Sequence, residues 1–390
     1  MKLKQLPQDF RVEELTSVVP GQTGPFAYYR LEKKNWTTPD ALTAVRRRWN
    51  VPFSRISYGG MKDRHAHTSQ FFTVFHGPKR NLSQPGIDIT WLGQREQPYT
   101  SVDIDANRFI LTLRSLSGTA IDKAREAVVA MERVGIPNYF DDQRFGSVAH
   151  AGQFVAKEMV LGRYEAALKL ALAAPYEHDR GAAKREKELI REAWGDWPRL
   201  KAEIPRGHAR SIVDHLLHHP TDFRGALERL KPELRSLYLA AWQSYLWNKM
   251  LATWLQTHVS PTHLLYVRSR FGEMPVPRRL SEKGLLEWRA LTLPLPSARL
   301  KIDPEATWAP LVESVMAQEE LPLSEMKLKD FRKPFFSKGD RVAAIFPQGL
   351  QLEAESDNLH PGKQKLVLRF DLPRGCYATM IVKRLTQTME

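Results

Sequence analysis

The first 150 residues combine short runs of β-branched and aromatic residues with two amphipathic segments. Residues 71–75 (FFTVF) and 109–113 (FILTL) predict strands, because such runs fit a pleated, half-buried surface. Residues 38–49 (TPDALTAVRRRW) predict a helix, with Thr38 as its N-cap and Pro39 at the first helical position. Residues 120–134 repeat apolar positions at i, i+3 and i+4, so they predict a second helix.

The rest of the chain changes its pattern twice. Helical spacing dominates from 151 to 255, and residues 258–300 are richer in proline and aromatics, which predicts mixed strands and loops. Residues 341–347 (RVAAIFP), 365–371 (KLVLRFD) and 377–383 (YATMIVK) return to strand character. Strands at both ends with helices between them favour one α+β domain interrupted by a large insertion.

Composition and charge narrow the class of protein. The 390 residues include 58 Lys+Arg and 44 Asp+Glu, which gives a net charge of +14. A broad basic surface suits a polyanion such as nucleic acid, but an ordinary basic protein can carry the same charge. Cys376 is the single cysteine, the N-terminus has no apolar region, and no apolar run reaches 18 residues. We therefore expect a cytoplasmic protein without a signal peptide or membrane span.

The common cofactor motifs are missing from the sequence. It has no GxGxxG after a strand, no GxxxxGK[ST], no HExxH and no CxxC pair, so we expect no small-molecule cofactor and no metal. His215 and His219 lie four residues apart on a predicted helix and are weak metal-ligand candidates, as are His65 and His67.

The segment 58–70 (YGGMKDRHAHTSQ) carries the most chemical information. Asp63 lies between Lys62 and Arg64, and neighbouring cations favour its ionised form. An ionised carboxylate with no second acid nearby in sequence suits a nucleophile better than a general acid. A turn in which Asp63 caps a strand or pairs with Arg64 would explain the same residues, and the pattern alone leaves both interpretations open.

Two further segments carry weaker chemical signals, and the first of them suggests a base-binding pocket. Residues 137–146 (PNYFDDQRFG) place aromatics, amides and an arginine at a turn after a helix, which suits stacking and edge recognition of an unstacked base. A packed aromatic corner is the structural alternative. Residues 372–379 (LPRGCYAT) form a predicted turn entering a strand, a common pattern that is weak evidence by itself.

Taken together and in order, these segments resemble the TruD family of tRNA pseudouridine synthases. The resemblance covers nearly the whole chain and rests on DFRVEE at 9–14, GMKDRHAHTSQ at 60–70, NRFILTLR at 107–114, NYFDDQRFG at 138–146, QSYLWN at 243–248 and LPRGCYAT at 372–379. One departure is Arg384, which stands where many relatives have an acid.

The resemblance implies a fold and a domain order. It implies an α+β pseudouridine-synthase catalytic domain, with a mixed, mainly antiparallel sheet and flanking helices. We expect residues 1–160 and 339–390 to form this domain, and residues 161–338 to form an α/β TRUD-type insertion domain.

It also implies a reaction and a set of site residues. The reaction is the isomerisation of a uridine in folded tRNA, at position 13, to pseudouridine, and tRNA is the expected partner of a monomeric enzyme. The implied residues are Asp63 as the catalytic aspartate, Phe10, Asn138 and Tyr377 lining the uridine site, Phe140 stacking on the base, and Lys62 and Arg144 as phosphate or carboxylate partners.

Two functions from other classes stay open at the level of sequence. One is an RNA-binding or RNA-folding protein in which catalysis is dispensable. The other is a glycoside or nucleoside hydrolase, which normally needs a second carboxylate across the scissile bond. Asp141 and Asp142 are the nearest sequence candidates for that second carboxylate.

Overall fold

The structure, a computed structural model, describes residues 1–149, 152–176, 179–329, 331 and 335–389. The chain divides into two compact units. The first unit comprises Met1–Ile136 and Ile345–Glu390, and the second comprises Pro137–Ala344. The predicted insertion, 161–338, lies within the second unit, and its bounds as a functional domain stay a prediction.

Strands and helices are numbered in chain order. The strands are β1 Lys2–Leu3, β2 Phe10–Leu15, β3 Phe26–Lys34, β4 Ile56–Tyr58, β5 His67–Phe75, β6 Leu82–Gln84, β7 Ile87–Arg95, β8 Ala106–Leu116, β9 Ile136–Pro137, β10 Leu264–Ser269, β11 Gly272–Pro277, β12 Thr292–Pro294, β13 Asp340–Val342, β14 Ala344–Ile345, β15 Gln348–Ser356 and β16 Gln364–Pro373. The helices are α1 Thr38–Trp49, α2 Gly118–Val134, α3 Val155–Val160, α4 Tyr164–Leu172, α5 Gly181–Glu192, α6 Trp197–Glu203, α7 His208–His218, α8 Phe223–Glu228, α9 Pro232–His258, α10 Glu282–Ala290, α11 Ala309–Gln318 and α12 Ala378–Met389.

The first unit is built on one large sheet. Its strand order is β15-β16-β8-β2-β5-β3-β7-β6, with β1 beside β8 and β4 beside β5. The central strands β2 and β5 run parallel, with Arg11 opposite His67, whereas their neighbours pair antiparallel. Parallel strands begin at the same edge of a sheet, so the segments that lead into Phe10 and His67 lie at that edge. The predicted α+β class and mainly antiparallel sheet are confirmed.

Helix α1 covers one face of this sheet. Side chains alternate across a strand, so Tyr29 and Leu31 of β3 share a face with Phe72 and Val74 of β5. These four residues pack in one buried cluster with Trp49 and other apolar residues of α1. The predicted helix over 38–49 is confirmed.

The predicted N-cap of α1 is wrong by one residue. The cap is Thr37, whose side chain accepts a hydrogen bond from the Asp40 amide at 3.2 Å. Both threonines are suitable cap residues, so the sequence did not distinguish between them. Thr38 is instead buried, and its hydroxyl accepts a hydrogen bond from the Lys62 amide.

The strand predicted over 377–383 is also wrong. Strand β16 ends at Pro373, and the helix α12 begins at Ala378. The β-branched residues of this segment favoured a strand, but its spacing is helical. Buried positions recur at i, i+3, i+4 and i+7, namely Ala378, Ile381, Val382 and Leu385. This face lets α12 pack against α2.

Most other predicted elements are present. Residues 71–75 lie in β5, 109–113 in β8, 365–371 in β16, and 120–134 in α2. Residues 341–347 hold the two short strands β13 and β14. The segment 258–300 contains strands as expected but also α10, which the proline-rich pattern concealed. No described helix is long and apolar enough to cross a membrane.

The second unit is mainly helical, as the pattern from 151 to 255 predicted. Its longest helix, α9, buries Trp242 and Trp247 and carries the QSYLWN motif. The Gln243 amide donates to the Pro296 and Ser337 carbonyls, both at 2.8 Å, and the Trp247 indole donates to the Leu293 carbonyl at 3.1 Å. The motif therefore satisfies backbone acceptors inside this unit.

A buried charge network joins three segments of the first unit. Arg114 on β8 donates to both carboxylate oxygens of Asp9, at 2.8–3.0 Å, and to Asp357 at 3.0 Å. All three residues are at most 5% exposed. Burial works to raise the pKa of Asp357, but hydrogen bonds from the Leu359 and Ser115 amides and the charge of Arg114 lower it to about 2.

We expect Arg114→Met to lower the free energy of unfolding by about 3–5 kcal/mol, because two buried carboxylates lose their counterion. Arg108→Met is the matched control, since Arg108 lies on the same strand and pairs just as closely with Asp371, but with side chains 30% and 23% exposed. There the loss should be about 0–1 kcal/mol. Urea denaturation measures both, and equal losses would contradict the role of the network.

The same network predicts an acid dependence. Asp357 has a folded pKa of about 2, below the value of roughly 3.9 in an unfolded chain. Its stabilising contribution is therefore complete above pH 4 and is lost as the pH falls toward 2. The difference in stability between wild type and Arg114→Met should shrink over that range.

Candidate functional site

Asp63 lies on the segment 59–66, between β4 and β5, at the edge where the parallel strands begin. Its side chain is 39% exposed, and the Lys4 ammonium lies 3.2 Å from Oδ2. The same ammonium lies 3.8 Å from the centre of the Phe10 ring. Lys4 thus contacts two predicted site residues, Asp63 and Phe10, although Lys4 itself was not among the residues predicted from the sequence.

Lys62, next in sequence to Asp63, has a different partner. Its ammonium lies 2.9 Å from Glu14 Oε2 and donates to Asn107 Oδ1. Both Lys62 and Glu14 have nearly buried side chains. Glu14 Oε1 accepts from the Phe71 amide at 3.1 Å and from the Tyr99 hydroxyl at 2.9 Å. Burial raises the pKa of Tyr99, and the Glu14 charge raises it further, so Tyr99 remains a donor.

A chain of side-chain hydrogen bonds holds the backbone of the 59–66 segment. The Thr38 hydroxyl accepts from the Lys62 amide at 2.9 Å and donates to Gln70 Oε1 at 2.8 Å. The Gln70 amide in turn donates to the Gly60 carbonyl at 3.1 Å. Thr38 and Gln70 are fully buried, so these bonds are protected from competing water.

Lys33 completes this support from β3. It is 1% exposed, and its ammonium donates to the carbonyls of Trp36 at 2.8 Å, Lys62 at 3.2 Å and Asp63 at 2.8 Å. Burial lowers the pKa of Lys33 to about 8, while the Asp63 charge raises it and the Lys62 charge lowers it further. Lys33 was not among the residues predicted from the sequence, although a lysine in phase with Tyr29 and Leu31 on the buried face of β3 is unusual.

Tyr377 lies half-buried in the turn between β16 and α12. Its carbonyl accepts from the Met380 amide at 3.1 Å. Leu372, near the end of β16, pairs with Asn107, which receives the Lys62 ammonium. The strand that leads to Tyr377 therefore ends beside the Lys62 contact.

Three predicted residues belong to the second unit, where Arg341 organises two of them. Asn138 is buried, and its side-chain NH₂ donates to the Val342 carbonyl at 3.0 Å. Arg341 donates to Asn138 Oδ1 at 2.5 Å and to the Asn138 carbonyl at 3.0 Å. The Arg341 guanidinium also lies 4.1 Å from the centre of the Phe140 ring.

Phe140 is held on its other sides by α9. The Asn248 side chain fixes the backbone of Phe140. Asn248 Oδ1 accepts from the Phe140 N–H at 2.9 Å, and the Asn248 NH₂ donates to the Phe140 carbonyl at 2.8 Å. Trp247 meets the ring edge-on at 5.5 Å. Arg144 lies 5.6 Å from the ring and donates to Ser244 Oγ at 3.1 Å. Asn138, Phe140 and Arg144 thus share one aromatic and cationic cluster of the second unit.

The histidines predicted as weak metal-ligand candidates lie in two separate places. His215 Nε2 lies 2.9 Å from Asp222 Oδ2, and its ring is 5.0 Å from that of His219. His65 precedes β5, which begins at His67. Across the described ranges, no group of three or more His, Cys, Asp or Glu residues is placed to hold a metal ion.

Comparison with known proteins gives the family. A sequence model of "TruD: tRNA pseudouridine synthase D" matches residues 1–385. The chain belongs to the TruD family. The probable tRNA pseudouridine synthase D 2 of Methanocaldococcus jannaschii is 30% identical over 98% of this chain and 91% of its own length. The tRNA pseudouridine synthase D of Aquifex aeolicus is 29% identical over 99% of this chain and 98% of its own.

A solved TruD structure supports the same assignment. The crystal structure of the "Putative tRNA pseudouridine synthase D (TruD)" from Methanosarcina mazei superposes with a TM-score of 0.74 at 25% identity, covering 99% of this chain and 93% of that one. The TruD resemblance drawn from the motifs is therefore confirmed, and with it the class of tRNA-modifying isomerase to which the family belongs.

In this TruD chain, we expect Lys33→Met to loosen the 59–66 segment, because three carbonyls lose their donor. The Lys62 amide N–H, which donates to the Thr38 hydroxyl, should exchange its hydrogen at least about tenfold faster. That factor corresponds to a decrease of roughly 1.4 kcal/mol in the free energy of local opening. Lys34→Met is the matched control, since Lys34 is the adjacent, exposed lysine of β3. Hydrogen exchange followed by mass spectrometry measures both variants, and equal rates would contradict the role of Lys33.

The lowered pKa of Lys33 adds a second readout. An unfolded lysine has a pKa of roughly 10.4, so the folded state disfavours the charged form between about 8 and 10.4. Wild type should therefore gain stability relative to Lys33→Met as the pH rises through that range.

Proposed function

We propose that this chain converts a uridine of folded tRNA to pseudouridine with Asp63 as the nucleophile, and that the uridine is at position 13. The observation that carries the proposal is that the Asp63 carboxylate is exposed while its backbone is held in place. Its carboxylate is solvent-accessible, yet the backbone that bears it is held by buried donors and acceptors from Lys33 and Thr38. A reactive group needs both access and a defined orientation.

The reaction is an isomerisation and needs no co-reactant. The uridine first leaves its stack, at a cost of a few kcal/mol. Asp63 then attacks C1′ of the ribose or C6 of the base, and the N-glycosidic bond breaks. The uracil turns, C5 bonds to C1′, the C5 proton leaves, and N1 gains a proton. Aspartate is released unchanged, so atoms and electrons balance.

Lys4 and Lys62 have separate roles in the proposal. Lys4 neutralises and orients the Asp63 carboxylate, and with Phe10 forms one wall beside it. Lys62 is paired with Glu14, so we assign it to positioning the segment rather than to contact with a phosphate.

The aromatic residues have a proposed role in holding the base. Phe140 and Tyr377 would supply stacking surface, and Asn138, whose side-chain amide is held by Arg341 and the Val342 carbonyl, would line the uridine site. Arg144, beside Phe140, would contact a phosphate or a carboxylate.

The wider assignments rest on the same proposal. The net charge of +14 suits tRNA as partner. We retain 1–160 with 339–390 as the catalytic domain and 161–338 as the insertion, and we retain a cytoplasmic, monomeric enzyme as the prediction.

We expect Asp63→Asn to lower pseudouridine formation by roughly 10³-fold or more, because an amide is a poor nucleophile. The change is isosteric, so tRNA affinity should stay within about twofold. Mass spectrometry of digested tRNA measures the product, and Asp122→Asn, an exposed carboxylate on α2, is the control.

Other outcomes separate the alternative functions. Near-normal turnover by Asp63→Asn would exclude Asp63 as the nucleophile. Release of free uracil would indicate a hydrolase. A wild-type protein that accelerates tRNA folding without forming pseudouridine would be an RNA-folding protein.

We expect Lys4→Met to lower turnover at saturating tRNA by roughly 10–100-fold, because Asp63 loses a charge-assisted contact worth about 1.5–3 kcal/mol. Lys4→Arg should restore part of the rate. Lys2→Met, an exposed lysine on β1, is the control for general loss of charge. Equal rates for Lys2→Met and Lys4→Met would remove Lys4 from the site.

A further inference from the structure

A surface cavity of about 440 Å³ in the first unit is lined in part by the residue that follows Asp63. Its lining includes Trp36, Arg47 and Arg64, and we call it the Arg47–Arg64 cavity. Arg64 follows Asp63 directly, so their Cα atoms are ~3.8 Å apart. An RNA strand that delivers a base to Asp63 would therefore pass close to the backbone of Arg64.

Both arginines of the cavity lack an acidic partner among the described residues. Arg64 Nε donates to the Asn35 carbonyl at 3.4 Å, and both arginines are exposed residues. Neither forms an ion pair with any carboxylate of the described ranges, whereas arginines elsewhere in this unit, such as Arg95 and Arg114, do. Two unneutralised guanidinium groups in one concavity attract an anion.

One acid, Asp40, also lines the cavity. Its carboxylate accepts a hydrogen bond from the Thr37 hydroxyl at 2.6 Å, in the first turn of α1, where the helix dipole favours a negative charge. Two arginines against one carboxylate leave the charged side chains of the lining with a net positive charge.

An aromatic surface accompanies the charge. Trp36 is half-buried, its indole N–H donates to the Pro85 carbonyl at 3.3 Å, and its own carbonyl accepts from Lys33. The tryptophan is thus held from both ends. A positioned aromatic ring beside unpaired arginines is the combination that binds single-stranded nucleotides.

From these observations we infer that the Arg47–Arg64 cavity binds an RNA nucleotide that flanks the reacting uridine. Arg47 and Arg64 contact its phosphates, and Trp36 contacts its base or ribose. This inference rests on the proposed function for its setting beside Asp63. It assigns a second RNA contact to α1 and to the residue after the nucleophile.

The test compares Arg47→Ala with Arg48→Ala. The two arginines are adjacent and exposed at the same helix end, but only Arg47 lines the cavity. Binding of unmodified tRNA is measured from 50 to 300 mM KCl. We expect Arg47→Ala to weaken affinity about five- to tenfold and to make the slope of log K against log salt less negative by about 0.7–0.9. Arg48→Ala should change both by much less.

Turnover distinguishes binding from chemistry. Arg47→Ala should raise KM and leave kcat within about twofold, and Arg47→Lys should recover part of the affinity because it keeps the charge. Trp36→Ala should weaken binding without changing the salt slope, since stacking releases no counterions.

Three results would overturn the inference. Equal effects of Arg47→Ala and Arg48→Ala would indicate a diffuse basic surface. Unchanged affinity in Arg47→Ala would exclude RNA from the cavity. Binding of inorganic phosphate to the wild-type protein at or below about 1 mM, lost in Arg47→Ala, would indicate a free-anion site. None of these results depends on Asp63 being the nucleophile, which Asp63→Asn tests separately.

Discussion

The geometry of the segment that carries Asp63 depends on the hydrogen bonds of one buried ammonium group, that of Lys33. Lys33 loses hydration in the core, and the loss is offset by three backbone carbonyls, two of which belong to Lys62 and Asp63. The same hydrogen bonds that offset the desolvation of Lys33 therefore define the path of the segment that carries the Asp63 carboxylate. Stability and the placement of the Asp63 carboxylate come from one set of contacts.

The sheet explains why this segment lies where it does. A single parallel pair, β2 and β5, stands among antiparallel neighbours, so two chain segments enter the sheet at one edge. One carries Lys4 toward Phe10, and the other carries Asp63 toward His67. Lys4 can therefore reach Asp63 across 59 residues of sequence. The buried Arg114 network holds the start of β2 against β8 and so supports the same edge.

Charge in this chain is divided between internal and external uses. Lys33, Lys62 and Arg114 lie inside the first unit and satisfy carbonyls or carboxylates. Arg47 and Arg64 line a surface cavity, where neither pairs with an acid of the described ranges, and we propose that they bind an anionic ligand. The net charge of +14 does not reveal this division, because it counts a buried structural lysine and an exposed arginine alike.

The sequence by itself determined the fold class, most elements and the family, because periodicity and the GMKDRHAHTSQ and NYFDDQRFG motifs are local. It selected Asp63, but it suggested Lys62 and Arg64 as the neighbouring cations. Only the tertiary structure showed that Lys4 contacts Asp63 and that Lys33 holds its backbone, since these contacts span 30 to 59 residues. The tertiary structure also has a helix where the sequence predicted a strand at 377–383. The helical spacing of the buried residues lets them pack against α2, and this packing outweighs their β propensity.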